Sequence, residues 1–199
     1  MVAPRLFALA QPPIHVPLPV GGIVPDVAVD GSTTYVAYGI KPDAFVARLD
    51  EASNTLGAGV RVNSVPGSVL SGGERGPKVA AGAGHVHVAW QDPDHRVPRV
   101  WYARSANGGK SFASQRNVLT GAAGVDMVTV VARGRNVLVM WLDGRGGEDA
   151  DNPVSSPIYY VESTDAGNTF GPNTKLQTPF RGTACACCTL DAQFESDGT

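Results

Sequence analysis

The stretches Ser105-Ala-Asn-Gly-Gly-Lys-Ser-Phe112 and Ser163-Thr-Asp-Ala-Gly-Asn-Thr-Phe170 are two versions of one turn. Both read Ser-x-(Asp/Asn)-x-Gly-x-(Ser/Thr)-Phe, and they begin 58 residues apart. In such a turn the carboxylate or amide accepts hydrogen bonds from backbone amides, glycine takes a positive φ, hydroxyls tie the loop, and the aromatic ring packs beneath. The pattern therefore predicts a hairpin turn that recurs along the chain.

The two turns sit inside a longer repeat. Tyr38, Trp90 and Trp141 occupy the same place in successive units, 52 and 51 residues apart. Each unit contains short runs of Val, Ala, Tyr and Trp separated by Gly, Pro, Asn and Asp, which is typical of antiparallel strands. Four strands in a unit of this length predict an all-β propeller built of four-stranded antiparallel blades.

The repeat predicts about three blades plus the start of a fourth. After a lead segment at residues 1–20, the expected partial propeller covers 21–199, with blades at 21–70, 71–120 and 121–177 and the next blade starting at 178–199. A propeller closes with about four to eight blades. We therefore expect the chain to be a fragment of a longer protein.

The second turn has the Ser-x-Asp-x-Gly-x-Thr-(Trp/Phe) form of the Asp box, and the chain resembles the sialidase-like β-propellers that carry this bacterial neuraminidase repeat. The first turn departs from the form by Asn107 and Ser111. The resemblance implies a six-bladed full protein and a glycosyl hydrolase of the exo-α-sialidase type. It assigns a structural role to the Asp-box residues Ser105, Asn107, Gly109, Ser111, Phe112, Ser163, Asp165, Gly167, Thr169 and Phe170.

The resemblance also implies an Arg-Ile-Pro motif leading into the first blade, with further arginines, an Asp acid and a Tyr nucleophile assisted by Glu. This chain reads Ile23-Val24-Pro25 at that position, so the first substrate-binding arginine is absent. Losing such a charge-assisted contact removes about 1.5–3 kcal/mol of binding. Two functions stay open: an exported hydrolase of the sialidase type, whose catalytic residues we leave unassigned, and a noncatalytic propeller that binds a glycan, a protein or a soft metal.

Two loops on the face opposite the Asp boxes hold candidate ligand-binding residues, namely Asp92, Asp94, Arg96, Asp143 and Arg145. Arginine donates paired hydrogen bonds to carboxylates, and aspartate accepts them from sugar hydroxyls. Alternatively, the longer second loop could supply oxygen ligands to calcium. The residues for such a site would be Asp143, Glu148, Asp149 and Asp151. A third interpretation is that Asp–Arg pairs brace neighbouring blades.

All three cysteines of the chain, Cys185, Cys187 and Cys188, lie in one Cys-x-Cys-Cys segment before the expected fourth blade. A subgroup of sialidase-like repeat proteins resembles this chain in having such a segment. In an exported protein these thiols would form disulfides or bind a soft metal. Copper(I) or zinc would need a further ligand such as His95, and a reactive thiol is a third alternative. We expect no required cofactor, with calcium, copper or zinc as possible ions.

Composition and charge narrow the class of protein. The net charge of −2 gives no basic surface for nucleic acid, and there is no run of about twenty apolar residues that would span a membrane. The segment from Arg5 to Ala10 resembles the end of a signal peptide. We expect a secreted, periplasmic or cell-surface protein whose partner is a glycan or a glycoprotein.

Overall fold

The computed structural model describes residues 14–121, 124–145, 155–177, 184–185 and 189–194. Within these ranges the chain forms strands and turns, and no residue is helical. The strands in chain order are β1 (Ile23–Asp30), β2 (Thr33–Ile40), β3 (Asp43–Asp50), β4 (Thr55–Leu56), β5 (Val60–Arg61), β6 (Lys78–Gly82), β7 (His85–Gln91), β8 (Val100–Ser105), β9 (Arg116–Asn117), β10 (Val125–Arg133), β11 (Asn136–Asp143), β12 (Ser155–Ser156), β13 (Ile158–Ser163), β14 (Thr174–Lys175) and β15 (Ala184–Cys185).

These strands form three antiparallel meanders, one for each predicted blade. The first sheet has the order β1-β2-β3-β4, with β5 also paired to β3. The second has the order β6-β7-β8-β9, and the third β10-β11-β13-β14. The predicted all-β propeller of four-stranded antiparallel blades is confirmed.

The first strand of each blade is innermost. β6 lies between β1 and β10 and packs against both, so that the three strands stand side by side around a common axis. Together with the segment 189–194 they line a central cavity. Because loops of several blades converge at the end of such a channel, this is where a propeller places its binding residues.

The repeated aromatic residues hold the blades together. Trp90 and Trp141 are fully buried, and Tyr38 is 1% exposed. Trp90 belongs to the apolar cluster between the first and second blades, and Trp141 to the cluster between the second and third. The period seen in the sequence is therefore the period of the packing between blades, which is stabilised by removal of apolar surface from water.

Two of the inner strands begin with a β-bulge. The register of β1 shifts between Ile23 and Asp26, and that of β10 shifts between Asp126 and Thr129. Val24 and Met127, inside these bulges, have φ values of 50° and 47°. A left-handed backbone at a residue other than glycine costs about 1–3 kcal/mol and is found where a side chain must be re-aimed.

The two repeated octapeptides, Ser105–Phe112 and Ser163–Phe170, connect the third and fourth strands of their blades, β8 to β9 and β13 to β14. The turns also contact the preceding blade. Arg48 of β3 donates from Nε to the Gly108 carbonyl at 2.9 Å, and Arg104 of β8 donates from Nη1 to the Ala166 carbonyl at 3.0 Å. An arginine near the end of the third strand thus fastens the turn of the next blade in both cases.

Candidate functional site

The central cavity has a volume of about 560 Å³ and is lined by β1, β6, β10 and residues 189–194. Asp26, Lys78 and Thr129 occupy equivalent places on the three inner strands. Each pairs with the residue that precedes the repeated aromatic residue of its blade, since their partners are Ala37, Ala89 and Met140. The repeat therefore presents three chemically different polar side chains, one from each blade, at one level of the channel.

Asp26 is a partly buried carboxyl in this ring. Its Oδ2 accepts a hydrogen bond of 2.7 Å from the backbone N–H of Val79, on the neighbouring blade. Burial raises the pKa of Asp26 above its ordinary value, and this effect outweighs the Val79 N–H and the Lys78 charge, which lower it. The negative charge of Asp191 raises the pKa of Asp26 further. A carboxyl in such surroundings is suited to hold and release a proton.

The rim of the cavity is fixed by an ion pair. Arg75 donates from Nε to Asp126 Oδ1 at 2.7 Å and from Nη2 to Asp126 Oδ2 at 2.5 Å. Beside it, the Gln91 side chain donates to the Val125 carbonyl at 2.6 Å. These contacts join the second blade to the bulge at the start of β10, and they anchor the wall from which Thr129 faces the channel.

Asp92, the first of the predicted ligand-binding residues, lies with its carboxylate turned into the protein. It is 7% exposed and accepts hydrogen bonds from Trp101 Nε1 at 2.6 Å, Arg99 Nη1 at 3.1 Å and the Asp94 N–H at 2.8 Å. Asp94 and Arg96 form an exposed ion pair of 3.1 Å within the same loop. None of these three residues lines the central cavity as the structure describes it.

Asp143 and Arg145 form an ion pair that, like the Asp92–Arg99 pair, has a buried carboxylate. Asp143 is fully buried and accepts from Trp141 Nε1 at 2.8 Å and from Arg145 Nε at 3.0 Å. Arg145 also donates to the Thr120 carbonyl at 2.5 Å and lies 4.4 Å above the centre of the Tyr159 ring. These contacts favour the bracing interpretation for the pair, and its ligand binding stays a prediction. Glu148, Asp149 and Asp151 lie outside the described residues.

The end of the long loop of the third blade forms a two-stranded antiparallel pair with the start of the cysteine segment. β12 and β15 pair antiparallel, with Ser155 opposite Cys185 and Ser156 opposite Ala184. Cys187 and Cys188 lie outside the described residues. Elsewhere in the described ranges, no group of three or more His, Cys, Asp and Glu side chains is placed to hold a metal ion. A metal or disulfide role for the cysteines stays a prediction.

The channel residues Asp26, Lys78, Thr129 and Asp191 were not among the residues predicted to form the site. A signal for three of them is present in the repeat, because they stand at the same position in units one to three. Asp191 has no such signal. Its proximity to Asp26 is visible only once the segment 189–194 is placed against the inner strands.

No protein-family model and no curated protein sequence matches the chain. Among solved structures it is similar to an α-L-arabinanase of Penicillium chrysogenum in complex with arabinobiose, with a TM-score of 0.52 and 13% identity over 81% of this chain and 51% of that one. It is also similar to a Hadza microbial sialidase, with a TM-score of 0.54 and 14% identity over 76% of this chain and 37% of that one. A polysaccharide lyase of family 25, an ulvan lyase, gives a TM-score of 0.53 and 14% identity over 78% and 39%.

The chain spans about half or less of the length of these structures. In the part of the chain that is described, no helix is long and apolar enough to cross a membrane. At this level of identity a structural likeness establishes the fold and leaves the activity to be tested. The chain has a β-propeller fold of the kind found in glycosidases.

Proposed function

We propose that the central channel binds a glycan and that the protein is a glycoside hydrolase of sialidase-like fold lacking the first substrate-binding arginine. The observation that carries the proposal is the Asp26 carboxyl, which faces a cavity of about 560 Å³ and whose pKa is raised by burial. Pockets of about 300–1,000 Å³ accommodate small ligands, so the cavity has room for a sugar ring.

Hydrolysis of a glycosidic bond uses two carboxyl groups, one as an acid and one as a base or nucleophile. In this proposal Asp26 gives its proton to the oxygen of the leaving sugar, and Asp191 is the second carboxylate, assisting the attack at the anomeric carbon. Water adds its hydroxyl to that carbon as the bond to the leaving sugar breaks, and the remaining proton of the water passes to the Asp191 carboxylate. Lys78 stabilises the Asp26 carboxylate after the proton has left, since its charge favours the ionised form.

A noncatalytic propeller that binds a glycan or a protein is the second candidate. The observation that favours it is Ile23, which stands where the resemblance implies an arginine. A soft-metal version of this candidate relies on Cys185, Cys187 and Cys188. For either candidate we propose a secreted, periplasmic or cell-surface location, which fractionation of cells that express the full-length protein would test.

The two candidates are separated by turnover and binding measured on the same variants. The full-length protein is assayed on a panel of chromogenic aryl glycosides, and binding of the panel is measured by calorimetry. Asp26→Asn is expected to reduce kcat by about 10²–10⁴-fold while leaving binding largely intact, because general acid catalysis contributes that much. Asp30→Asn, four residues along β1, is the control and should retain turnover.

Each outcome supports one candidate or overturns a stated part of the proposal. Turnover that depends on Asp26 supports the hydrolase. Binding without turnover, weakened by changes at Asp26 or Lys78, supports the noncatalytic propeller. Turnover that survives Asp26→Asn overturns the role given to this carboxyl, and absence of any glycan binding overturns the proposed function.

A further inference from the structure

The chain contains one Asn-Gly pair, Asn107-Gly108, in the turn between β8 and β9, where the Asn107 side chain is exposed. An asparagine followed by glycine can react with its own backbone. The nitrogen of the next residue attacks the side-chain amide carbon, and glycine has no Cβ atom to crowd that approach. The pair is therefore a candidate site of covalent modification, and neither residue lines the central cavity as it is described.

The attacking nitrogen is free of hydrogen bonds in this turn. At the equivalent place in the second turn, the Ala166 N–H donates to the Arg135 carbonyl at 2.8 Å. The Gly108 N–H has no such acceptor among the described residues, and the contact from the neighbouring blade goes to the Gly108 carbonyl, which accepts from Arg48 Nε at 2.9 Å. The Gly108 nitrogen can therefore lose its proton to solvent without first breaking a hydrogen bond.

The side-chain carbonyl of Asn107 is polarised by two donors. Its Oδ1 accepts from the Ser105 hydroxyl at 2.8 Å and from the Ser111 N–H at 3.0 Å. When a nucleophile adds to Cγ, negative charge develops on this oxygen, and donors that are already in place stabilise it. The Ser111 hydroxyl lies 2.9 Å from Nδ2, which is close enough to pass a proton to this nitrogen as it leaves.

From these contacts we infer that Asn107 deamidates spontaneously and that the product in the folded protein is aspartate. The Gly108 nitrogen bonds to Asn107 Cγ and loses its proton, the Cγ–Nδ2 bond breaks, and ammonia leaves behind a cyclic succinimide. Water then adds to Cγ, the bond from Cγ to the Gly108 nitrogen breaks, and that nitrogen regains a proton. In total, a side-chain amide and a water become a carboxylate and an ammonium ion.

The same two donors determine which carbonyl of the succinimide is opened. Attack of water on Cγ gives aspartate, whereas attack on the main-chain carbonyl gives isoaspartate, which has an additional methylene group in the backbone. Ser105 and Ser111 donate to the oxygen on Cγ and so activate that carbon. An isoaspartate would also lengthen the turn, in which the Ser105 hydroxyl accepts from the Gly109 N–H at 2.9 Å. The folded turn therefore favours aspartate.

The product has the Asp-box form that the first turn otherwise lacks. Deamidation adds one negative charge and replaces the Nδ2 donor by an acceptor. The Ser111 hydroxyl, which accepts from Asn107 Nδ2, would then donate to the new carboxylate. The second turn already has this arrangement, because the Thr169 hydroxyl donates to Asp165 Oδ2 at 2.6 Å.

The first test compares two asparagines in one sample. The full-length protein is incubated at pH 8, digested with trypsin and followed by mass spectrometry, and each deamidation appears as a gain of about one mass unit. Asn168 is the internal control, since it is exposed in the equivalent turn but is followed by Thr169. Asn107 is expected to deamidate about tenfold faster than Asn168, or more, because the β-branched residue crowds the attacking nitrogen.

The identity of the product is a second readout. The peptide of the Asn107→Asp variant is the reference for aspartate, from which isoaspartate is separated by chromatography. We expect mainly aspartate from the folded protein. In the chain unfolded in urea we expect mainly isoaspartate, because no donor then acts on Cγ and the main-chain carbonyl is the more electrophilic of the two.

Gly108→Ala tests the attacking nitrogen. Alanine is present at the equivalent place in the second turn, where Ala166 has a φ of 59° against 65° for Gly108, so the turn accommodates it. The added Cβ atom would contact the end of the Arg48 side chain, which is long enough to move aside. Deamidation of Asn107 in this variant is expected to slow by about tenfold.

Deamidation of Asn107 no faster than that of Asn168 overturns the inference, and this comparison needs no variant. An unchanged rate in folded Gly108→Ala overturns the attack by the Gly108 nitrogen. A product from the folded protein that is mainly isoaspartate overturns the role given to Ser105 and Ser111. None of these outcomes depends on glycan binding in the channel.

Discussion

Arg75 donates two parallel hydrogen bonds to Asp126, from Nε to Oδ1 at 2.7 Å and from Nη2 to Oδ2 at 2.5 Å, although 51 residues separate the two in the chain. One partner precedes β6 and the other lies in the bulge that opens β10. The pair therefore connects the second and third blades at the rim of the channel. Because Asp126 Oδ1 also accepts the Met127 N–H at 2.9 Å, the same carboxylate holds the left-handed turn of the bulge.

We expect this pair to show measurable coupling in a double-mutant cycle. Arg75→Ala and Asp126→Ala should each lower the free energy of unfolding, with a coupling of about 1 kcal/mol, since the geometry is bidentate and both side chains are partly buried. Urea unfolding of the full-length protein gives the four stabilities. The cycle of Asp94 and Arg96 is the control, with coupling near zero, because the Arg96 side chain is 90% exposed. Equal coupling in the two cycles would contradict this interpretation.

Gly76 allows the first blade and the second to approach at the bulge of β1. A Cβ atom added to Gly76 would lie 2.8 Å from Val24 Cβ and 3.2 Å from the Val24 carbonyl oxygen. Val24 already has a positive φ and stands two residues before Asp26. We expect Gly76→Ala to lower the free energy of unfolding by about 1–3 kcal/mol, the usual cost of overpacking, and to weaken glycan binding at Asp26.

The matched control is Gly124→Ala. Gly124 precedes β10 as Gly76 precedes β6, but an added Cβ would meet no atom within 4 Å. Its substitution should change stability by less than about 0.5 kcal/mol. Similar losses in both variants, measured by urea unfolding, would show that the close approach to Val24 is unimportant.

The sequence was sufficient to predict the blades because the information is local and repeated. The spacing of Tyr38, Trp90 and Trp141 follows from one buried aromatic residue in the second strand of every blade. The turn at Ser163 to Phe170 is determined by the hydrogen-bonding capacity of its own side chains. Neither feature needs knowledge of how the blades are arranged.

The candidate site was harder to predict because its chemistry depends on contacts between blades. In the sequence, Asp26 looks like any other polar strand residue. Its partial burial and its hydrogen bond from Val79, which belongs to the second blade, are seen only in the structure. Asp143 and Arg145 are residue types that often bind ligands. In the structure, however, Asp143 accepts a hydrogen bond from the Trp141 indole, and Arg145 donates one to the Thr120 carbonyl. That the Asp143 carboxylate is buried can be seen only from the packing of the folded chain.

His87 makes the fold sensitive to acid. It is fully buried, its Nδ1 is 2.7 Å from the Tyr102 hydroxyl, and its Nε2 has no hydrogen-bond partner among the described residues. Burial lowers the pKa of His87 to about 3, with the charges of His85 and Arg104 acting in the same direction. Between pH 6.5 and 3 the unfolded chain takes up a proton that the folded chain excludes, so stability falls as the pH falls.

The expected slope is about 1.4 kcal/mol per pH unit below pH 6, and no contribution from His87 is expected above pH 7. Urea unfolding from pH 4 to 8 measures it. His87→Gln, which retains an acceptor for Tyr102 but does not titrate, should be less stable at pH 7 and should lose this slope. His95→Gln removes an exposed imidazole and is the control. A slope that persists in His87→Gln would assign the acid sensitivity to other groups.

The turns Ser105–Phe112 and Ser163–Phe170 differ in one group that titrates in acid, Asp165, and therefore should respond differently to low pH. Asp165 Oδ1 accepts from the Ser163 hydroxyl at 2.7 Å and the Thr169 N–H at 2.8 Å, and Oδ2 accepts from the Thr169 hydroxyl at 2.6 Å. In the first turn Asn107 Oδ1 accepts from Ser105 and Ser111 in the same way, but Asn107 Nδ2 donates to the Ser111 hydroxyl at 2.9 Å. One hydroxyl thus donates and its counterpart accepts.

Hydrogen bonds from the Thr169 hydroxyl, the Thr169 N–H and the Ser163 hydroxyl hold the pKa of Asp165 well below its usual range. The carboxylate therefore stabilises the turn above about pH 4, and this contribution is lost as the pH falls further. We expect Asp165→Asn to lower Tm by a few degrees at pH 7 and the difference from the parent to shrink progressively as the pH falls from about 4 toward 2, while Asn107→Ala lowers Tm without this pH dependence. Thermal unfolding is measured in a His87→Gln background, which removes the contribution of His87, and the contributions of other groups cancel in the comparison of each variant with its parent. A difference between Asp165→Asn and its parent that stays constant from pH 7 to about pH 2 would show that the charge of Asp165 does not stabilise the turn.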